Sequence, residues 1–146
     1  MPGTKSYAVN SLNQYVTAGA AALGYDANGS LNSDGSSTYV YDAENRLVSV
    51  TGGTSVSLTY DPLGRLWQYS GPQSGTLRFV YDGDKLAIEY NGSGVVQRTH
   101  GFGPGVDEPL VSYELTTPMR RFYHADHQGS IVAVADETGN ALNIDK

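Results

Sequence analysis

Short stretches of alternating side chains, each ended by glycine, asparagine or aspartate, recur along the whole chain. In the stretch that begins at Tyr39, an extended strand places Tyr39 and Tyr41 on one face and Val40 on the other. The residues that follow each such stretch tolerate tight turns and positive φ, and strand-like alternation then resumes. This pattern predicts a series of β-hairpins.

The second half of the chain continues the pattern. It contains six stretches rich in β-branched and aromatic residues, which we predict to be strands: 76–82, 85–90, 95–103, 109–115, 119–126 and 130–136. The one candidate helix, 16–23, is interrupted by Gly19 and has no apolar stripe. The predicted fold is therefore all-β: repetitive antiparallel hairpins that form a twisted, spiralling sheet, in which short strands gain stability from stacked neighbours.

A repeated phrase marks the hairpins: tyrosine, aspartate, a turn cluster and then leucine. Its copies begin at four tyrosines spaced by 16, 19 and 21 residues, and a degenerate copy begins at Tyr90. We predict that each aspartate accepts hydrogen bonds from backbone amides two residues further on, as in an Asx turn. Glu44 is replaced by asparagine or leucine in other copies, so the phrase indicates a structural repeat and not an acid pair. The predicted motif residues are Tyr25, Asp26, Tyr41, Asp42, Tyr60, Asp61, Tyr81 and Asp82.

Composition and charge argue against several classes of function. The net charge is -6 and the nine lysines and arginines are scattered; because nucleic-acid affinity comes mainly from clustered cations, we expect no nucleic-acid partner. The chain has no cysteine, which excludes disulfides and thiolate zinc sites. No apolar run approaches the roughly 20 residues of a membrane-spanning helix, and the first ten residues do not resemble a signal peptide.

Two longer phrases resemble a known family. Together with the tyrosine–aspartate repeats, the runs His100–Leu110 (HGFGPGVDEPL) and Tyr123–Ser130 (YHADHQGS) resemble RHS/YD-repeat proteins: bacterial rearrangement-hotspot proteins, the shells of insecticidal toxin complexes and the animal teneurins. The resemblance covers nearly the whole chain. It implies a single YD-repeat module over 1–146, with hairpin repeats in 1–78 and the start of an RHS-associated core-like segment in 79–146. The family's self-cleaving segment and toxin would lie beyond residue 146.

The resemblance also implies a function. In the family, β-ribbons spiral into a hollow shell that encloses or presents a toxin or effector. We therefore expect a non-enzymatic structural module that is secreted, located at the cell surface or delivered by a bacterial secretion system as part of a larger protein. Its expected partners are the remainder of the shell and its cargo, and unpaired sheet edges predict self-association. The alternative is an adhesion module that binds glycan or protein through its rings: Tyr39, Tyr41, Tyr60, Trp67, Tyr69, Tyr81 and Tyr90.

Catalytic and metal-binding interpretations have less support in the sequence. His124, Asp126 and His127 form the best metal-like cluster, but zinc would need a further ligand, and all three belong to the phrase that resembles a family motif. The run 61–64 (DPLG) resembles a self-cleaving sequence but lies in an ordinary repeat, and proteolysis would need a second carboxylate. A Ser-His-Asp triad has no G-x-S-x-G elbow to support it. We therefore predict no catalytic residue, no metal site and no cofactor.

Overall fold

The computed structural model describes residues 6–144, and this part of the chain consists of strands joined by turns and irregular segments, with no helix. The prediction of an all-β fold built from repetitive antiparallel hairpins is confirmed. Residues 6–144 accordingly contain no helix that could span a membrane.

The chain divides into two compact units, Met1–Gly75 and Thr76–Lys146. The strands of the first unit are β1 (Tyr7–Val9), β2 (Tyr15–Ala18), β3 (Ala21–Ala22), β4 (Gly24–Tyr25), β5 (Leu31–Ser33), β6 (Thr38–Tyr41), β7 (Leu47–Thr51), β8 (Val56–Tyr60) and β9 (Leu66–Gly71). The first three form a small sheet in the order β1-β2-β3, and the remaining six are neighbours in sequence order from β4 to β9. Within each of these two groups, every strand therefore pairs with the strand that follows it in the chain, as consecutive hairpins require.

The second unit repeats this arrangement with longer strands. They are β10 (Gly75–Asp82), β11 (Lys85–Asn91), β12 (Val96–Phe102), β13 (Pro109–Glu114), β14 (Met119–Ala125), β15 (Ile131–Ala135) and β16 (Ala141–Ile144). They are neighbours in sequence order and every pairing is antiparallel. Each of the six strands predicted for this half of the chain is present, with both ends within one residue of the prediction.

One turn recurs at seven hairpins of the described residues, and the turn at Asp26 illustrates it. The Asp26 amide donates to the Ser30 carbonyl at 2.9 Å, and the Gly29 amide donates to the Asp26 carbonyl at 3.1 Å. Asp26 Oδ1 then accepts the amides of Asn28 and Ser30, both at 2.9 Å. Gly29 has a φ of 85°, a conformation that glycine or asparagine adopts at little cost. The same bonds form around Asn10, Asp42, Asp61, Asn91, Asp126 and Asp136.

The tyrosine and leucine of the repeated phrase face each other across this turn. Tyr25 lies opposite Leu31, and Tyr41 lies opposite Leu47, in each case directly after a β-bulge. The Tyr41 hydroxyl donates to the Leu31 carbonyl of the preceding repeat at 3.0 Å, and the Tyr60 hydroxyl donates to the Leu47 carbonyl at 2.8 Å. Because a bulge interrupts the regular strand ladder, the tyrosine hydroxyl provides a hydrogen bond where the ladder is disrupted. Each ring thereby ties its repeat to the one before it.

Burial in this fold is unusual because the apolar side chains are only half covered. Among the described residues no hydrophobic side chain is fully buried; the buried side chains are those of Glu89, 7% exposed, and Ser112, 0% exposed. Along β6 the exposure alternates as predicted, with Tyr39 and Tyr41 half-buried and Val40 exposed. The sheet therefore depends on its hydrogen-bond ladder, its turns and half-buried rings, and its most protected positions are polar.

Candidate functional site

The buried Glu89 marks the place where the ionisable groups of the second unit meet. Glu89 on β11, Arg98 on β12 and Glu114 on β13 are direct cross-strand partners, so their side chains share one face of the sheet. His100 lies two residues beyond Arg98 and opposite Ser112, and it shares the same face.

Short contacts connect these groups into one network. Arg98 Nη1 donates to Glu89 Oε1 at 3.1 Å, while Arg98 Nε and Nη2 donate to Glu114 Oε1 at 2.7 Å and 2.6 Å. His100 Nε2 lies 2.7 Å from the same Oε1 atom of Glu89. Arg121 Nη2 on β14 is 3.7 Å from Glu114 Oε1. We call these five residues (Glu89, Arg98, His100, Glu114 and Arg121) the charged network.

The neighbouring carboxylates favour the charged form of Arg98. Burial opposes the charge on Arg98, but the hydrogen bond to Glu114 and the negative charge of Glu89 outweigh it, so the pKa of Arg98 is raised above its usual value. Arg121 Nε is buried and has no hydrogen-bond partner in the described part of the chain. Both carboxylates therefore accept from Arg98, and a buried donor without a partner remains on Arg121.

A hydroxyl pair extends the same face. Ser112 Oγ lies 3.0 Å from Tyr123 Oη, and Ser112 is completely buried. Together with the charged network, this pair gives β11 to β14 specific polar partners on one face. Because a slip of one residue would move every side chain to the other face, these contacts fix the register of four strands.

The repeat aspartates lie in turns, where their carboxylates bind backbone amides. In two copies an arginine four residues on adds a charged contact: Arg46 Nε donates to Asp42 Oδ2 and Arg65 Nε donates to Asp61 Oδ2, both at 2.8 Å. The hydrogen bond from the Arg46 amide, with help from its side chain, holds the pKa of Asp42 below its usual value. The run 61–64 is one of these turns, with Gly64 at a φ of 82°. Asp26 accepts the same two amide hydrogen bonds, but the residue four positions after it is Ser30 and not an arginine.

The copy at Tyr81 has a different turn from the other three. Asp82 pairs directly with Lys85, and Tyr81 pairs with Leu86, so only Gly83 and Asp84 form the loop. The degenerate copy at Tyr90 has the full recurring turn, in which asparagine replaces aspartate at position 91. Copies of the tyrosine–aspartate phrase therefore do not always form the same turn.

The predicted polar cluster is divided between a strand and a turn. His124 is exposed on β14, and His127 is exposed in the turn that follows it. Asp126 is the residue that binds the amides of this turn, with Gln128 at 2.8 Å and Ser130 at 3.0 Å. Within residues 6–144 no group of three or more His, Cys, Asp or Glu side chains is placed to hold a metal ion.

The rings considered for glycan contact are mostly half-buried, apart from Trp67, which is 44% exposed. Several of their hydroxyls bind the chain itself. Tyr39 Oη donates to Asp34 Oδ2 at 2.7 Å, and Tyr41 and Tyr60 bind carbonyls of the preceding repeats. Their polar ends therefore stabilise the sheet.

Sequence analysis did not identify the charged network. Its members are separated by many residues, and only the register of β11, β12 and β13 brings them together. One signal was available: Glu89 is a carboxylate that directly follows the apolar run Leu86–Ile88 in the predicted strand 85–90. A charge at such a position normally has a partner, and Arg98 on the next predicted strand was a candidate.

The chain is similar in sequence to proteins named as tRNA nucleases. No protein-family model matches it. It is 31% identical over 145 residues to "tRNA nuclease WapA" of Bacillus subtilis (strain 168) and 30% identical over 145 residues to "tRNA(Glu)-specific nuclease WapA" of Bacillus subtilis subsp. natto. It is 29% identical over 143 residues to "tRNA3(Ser)-specific nuclease WapA" of Bacillus spizizenii. Each alignment covers 95% of this chain, which spans only 6% of the relative's length.

These relatives overturn three predictions. The expected function, a non-enzymatic shell module or alternatively an adhesion module, is wrong, and so is the expectation that the chain is not an enzyme, because the relatives are named as nucleases. The expectation of no nucleic-acid partner is wrong because those nucleases are named for tRNA. A net charge of -6 is a sum over the whole chain, and it does not locate any binding surface.

Proposed function

We propose that this chain is a segment of a larger protein that cleaves tRNA. The observation that carries the proposal is its similarity, over 95% of its length, to three proteins named as tRNA nucleases. Because the chain spans 6% of those relatives, the nuclease activity is proposed for the protein that contains the segment. The segment contributes an all-β part to it.

This part is one that nucleases with different tRNA targets have in common. The relatives are named for tRNA3(Ser), for tRNA(Glu) and for tRNA in general, yet their identities to the chain are 29%, 30% and 31%. A segment that chose the target would be expected to match a relative with one target better than a relative with another. The choice between tRNAs is therefore made outside the segment.

We also propose that the segment is a YD-repeat region, as its resemblance to RHS/YD-repeat proteins suggests. The recurring turn supports this proposal, because seven hairpins of residues 6–144 repeat the same hydrogen bonds. The tyrosine hydroxyls that bind the preceding repeat support it as well. Stacked repeats of this kind stabilise one another through neighbour contacts.

The nuclease proposal is tested with the purified protein that contains this chain and end-labelled, unfractionated tRNA. Denaturing gels are expected to show discrete tRNA fragments that increase with time. An RNA of similar length without the tRNA fold is the matched control substrate. Intact tRNA after prolonged incubation with protein of normal far-UV circular dichroism would overturn the proposal.

The role of the segment is tested by exchange. Replacing it with the aligned segment of the tRNA(Glu)-specific relative is expected to leave the set of cleaved tRNAs unchanged. A switch of the cleaved tRNA to that of the donor would show that the segment selects the target. That result would leave the nuclease proposal intact and refute only the proposal that the choice between tRNAs is made outside the segment.

A further inference from the structure

The second unit presents two rings and two basic side chains on the face opposite the charged network. Tyr113 on β13 is the direct partner of Arg120 on β14. Phe122 and His124 follow Arg120 at alternate positions of β14, so they share its face. Glu114 adjoins Tyr113 in the chain and points to the other face. We call Tyr113, Arg120, Phe122 and His124 the aromatic face.

All four residues of the aromatic face are exposed. Tyr113 is 40% exposed and Phe122 is 37% exposed, although both are large side chains in the middle of strands. The Arg120 guanidinium lies 5.5 Å from the centre of the Tyr113 ring, which is a cation–π distance. Arg121, its neighbour in the chain, contacts Glu114 on the other face, whereas Arg120 contacts the exposed ring of Tyr113.

Exposed rings on a sheet, with an arginine beside them, are a combination that binds unpaired bases. Bases stack on aromatic rings and on guanidinium planes, and the cation also attracts the phosphate backbone. Phe122 is a diagonal neighbour of Tyr113 across the strand pair, at a spacing of about 7–8 Å. We infer that the aromatic face binds unpaired nucleotides of tRNA by stacking on Tyr113 and Phe122, with Arg120 beside the backbone. This inference rests on the proposed nuclease function, which supplies the class of ligand.

Charge limits the strength of this binding. Glu137 lines the same hollow as Tyr113 and Arg120, and the whole chain carries a net charge of -6. Stacking must therefore supply most of the affinity, and the electrostatic contribution comes from few cations. Removal of the Glu137 charge is expected to strengthen binding, whereas Asp84, an exposed carboxylate in the β10–β11 turn, serves as the matched charge control.

The test measures fluorescence anisotropy of a labelled single-stranded RNA of about eight nucleotides, a typical site size for such surfaces, with the full chain. Tyr113→Ala and Phe122→Ala are each expected to weaken binding by about 5- to 150-fold, the effect of losing one stacked base. Tyr7→Ala is the matched ring control, since Tyr7 is 58% exposed in the first unit, and it is expected to change nothing. Glu137→Gln should tighten binding and Asp84→Asn should not.

The outcomes separate this inference from the nuclease proposal. Absence of saturable binding to the single strand, equal affinity for a blunt RNA duplex, or an equal loss in Tyr7→Ala would overturn the aromatic face as a binding surface. If the containing protein still cleaved tRNA, the nuclease proposal would stand alone. The chain could instead bind RNA through the rings while the containing protein fails to cleave tRNA. In that case the aromatic face would be an RNA-binding surface, and the proposed nuclease activity would be wrong.

Discussion

Replacement of Glu89 by alanine is expected to lower the free energy of unfolding by about 2–4 kcal/mol. The wild-type carboxylate accepts from His100 Nε2 at 2.7 Å and from Arg98 Nη1 at 3.1 Å, and Glu89 is 7% exposed. A hydrogen bond to a charged group contributes about 1.5–3 kcal/mol, and a buried group left without its partner costs about 1–3 kcal/mol.

The remaining partner of Arg98 sets the upper limit of this effect. Breaking a buried ion pair costs about 3–5 kcal/mol when it leaves an uncompensated charge. Arg98 keeps two contacts with Glu114 at 2.7 Å and 2.6 Å, so its charge stays compensated and the loss should lie below the top of that range. Glu89→Gln retains an acceptor and the side-chain volume, and it should cost about half as much as Glu89→Ala.

The assay is urea unfolding followed by far-UV circular dichroism and Trp67 fluorescence, with the free energy taken from the linear dependence on urea. Glu137→Ala is the control, since Glu137 is an exposed carboxylate of the same unit, and it should stay within about 0.5 kcal/mol of the wild type. If Glu89→Ala were no more destabilising than Glu137→Ala, the network would not stabilise the sheet and the argument from its contacts would be refuted.

Two further predictions concern the recurring turn. Asp26→Ala should cost about 1–2 kcal/mol because two amides lose their acceptor, whereas Asp26→Asn should be nearly neutral because Asn91 makes the same two bonds; equal losses in the two variants, measured by urea unfolding, would contradict this. Stability should also fall as the pH drops below about 4, the usual aspartate pKa, because hydrogen bonds from the Thr138 hydroxyl and the Asn140 amide lower the pKa of folded Asp136. A group with a lowered folded pKa stabilises the fold above its unfolded pKa and loses that contribution as the pH falls towards the folded value. Asp136→Asn should therefore reduce the acid dependence of the melting temperature, and an unchanged dependence would count against it; the other aspartates with lowered pKa values are Asp34, Asp42 and Asp61.

The fold could be predicted because its instructions are local. The alternation of Tyr39, Val40 and Tyr41 reappears as alternating exposure along β6, and glycine or asparagine stands wherever the recurring turn needs a positive φ. A turn of this kind is specified by five consecutive residues, so a single sequence suffices to predict it. The copy at Asp82 shows the limit, because its glycine directly follows the aspartate and permits a two-residue loop.

The candidate sites could not be predicted in the same way because they depend on register. Glu89, Arg98 and Glu114 meet only because the β11–β12 and β12–β13 pairings place them side by side. Bulges shift both pairings, after Glu89 in one and after Gly101 in the other, and a shift of one residue would exchange the faces. The aromatic face has the same dependence: Tyr113 and Phe122 are ordinary strand residues until the pairing of β13 and β14 places Arg120 beside them.

The failure of the charge argument follows from where the carboxylates lie. Aspartates such as Asp42 and Asp61 are held in turns by backbone amides and by the arginine four residues on, so much of their charge is compensated locally. Exposed charges farther apart than about 8 Å are largely screened at physiological salt, and a turn aspartate beyond that distance contributes little to the field over Arg120. A net charge of -6 therefore predicts a screened, long-range repulsion of nucleic acid, but it does not exclude a small surface on which stacking supplies the affinity. The exclusion of nucleic acid needed the position of each charge, and composition contains only their sum.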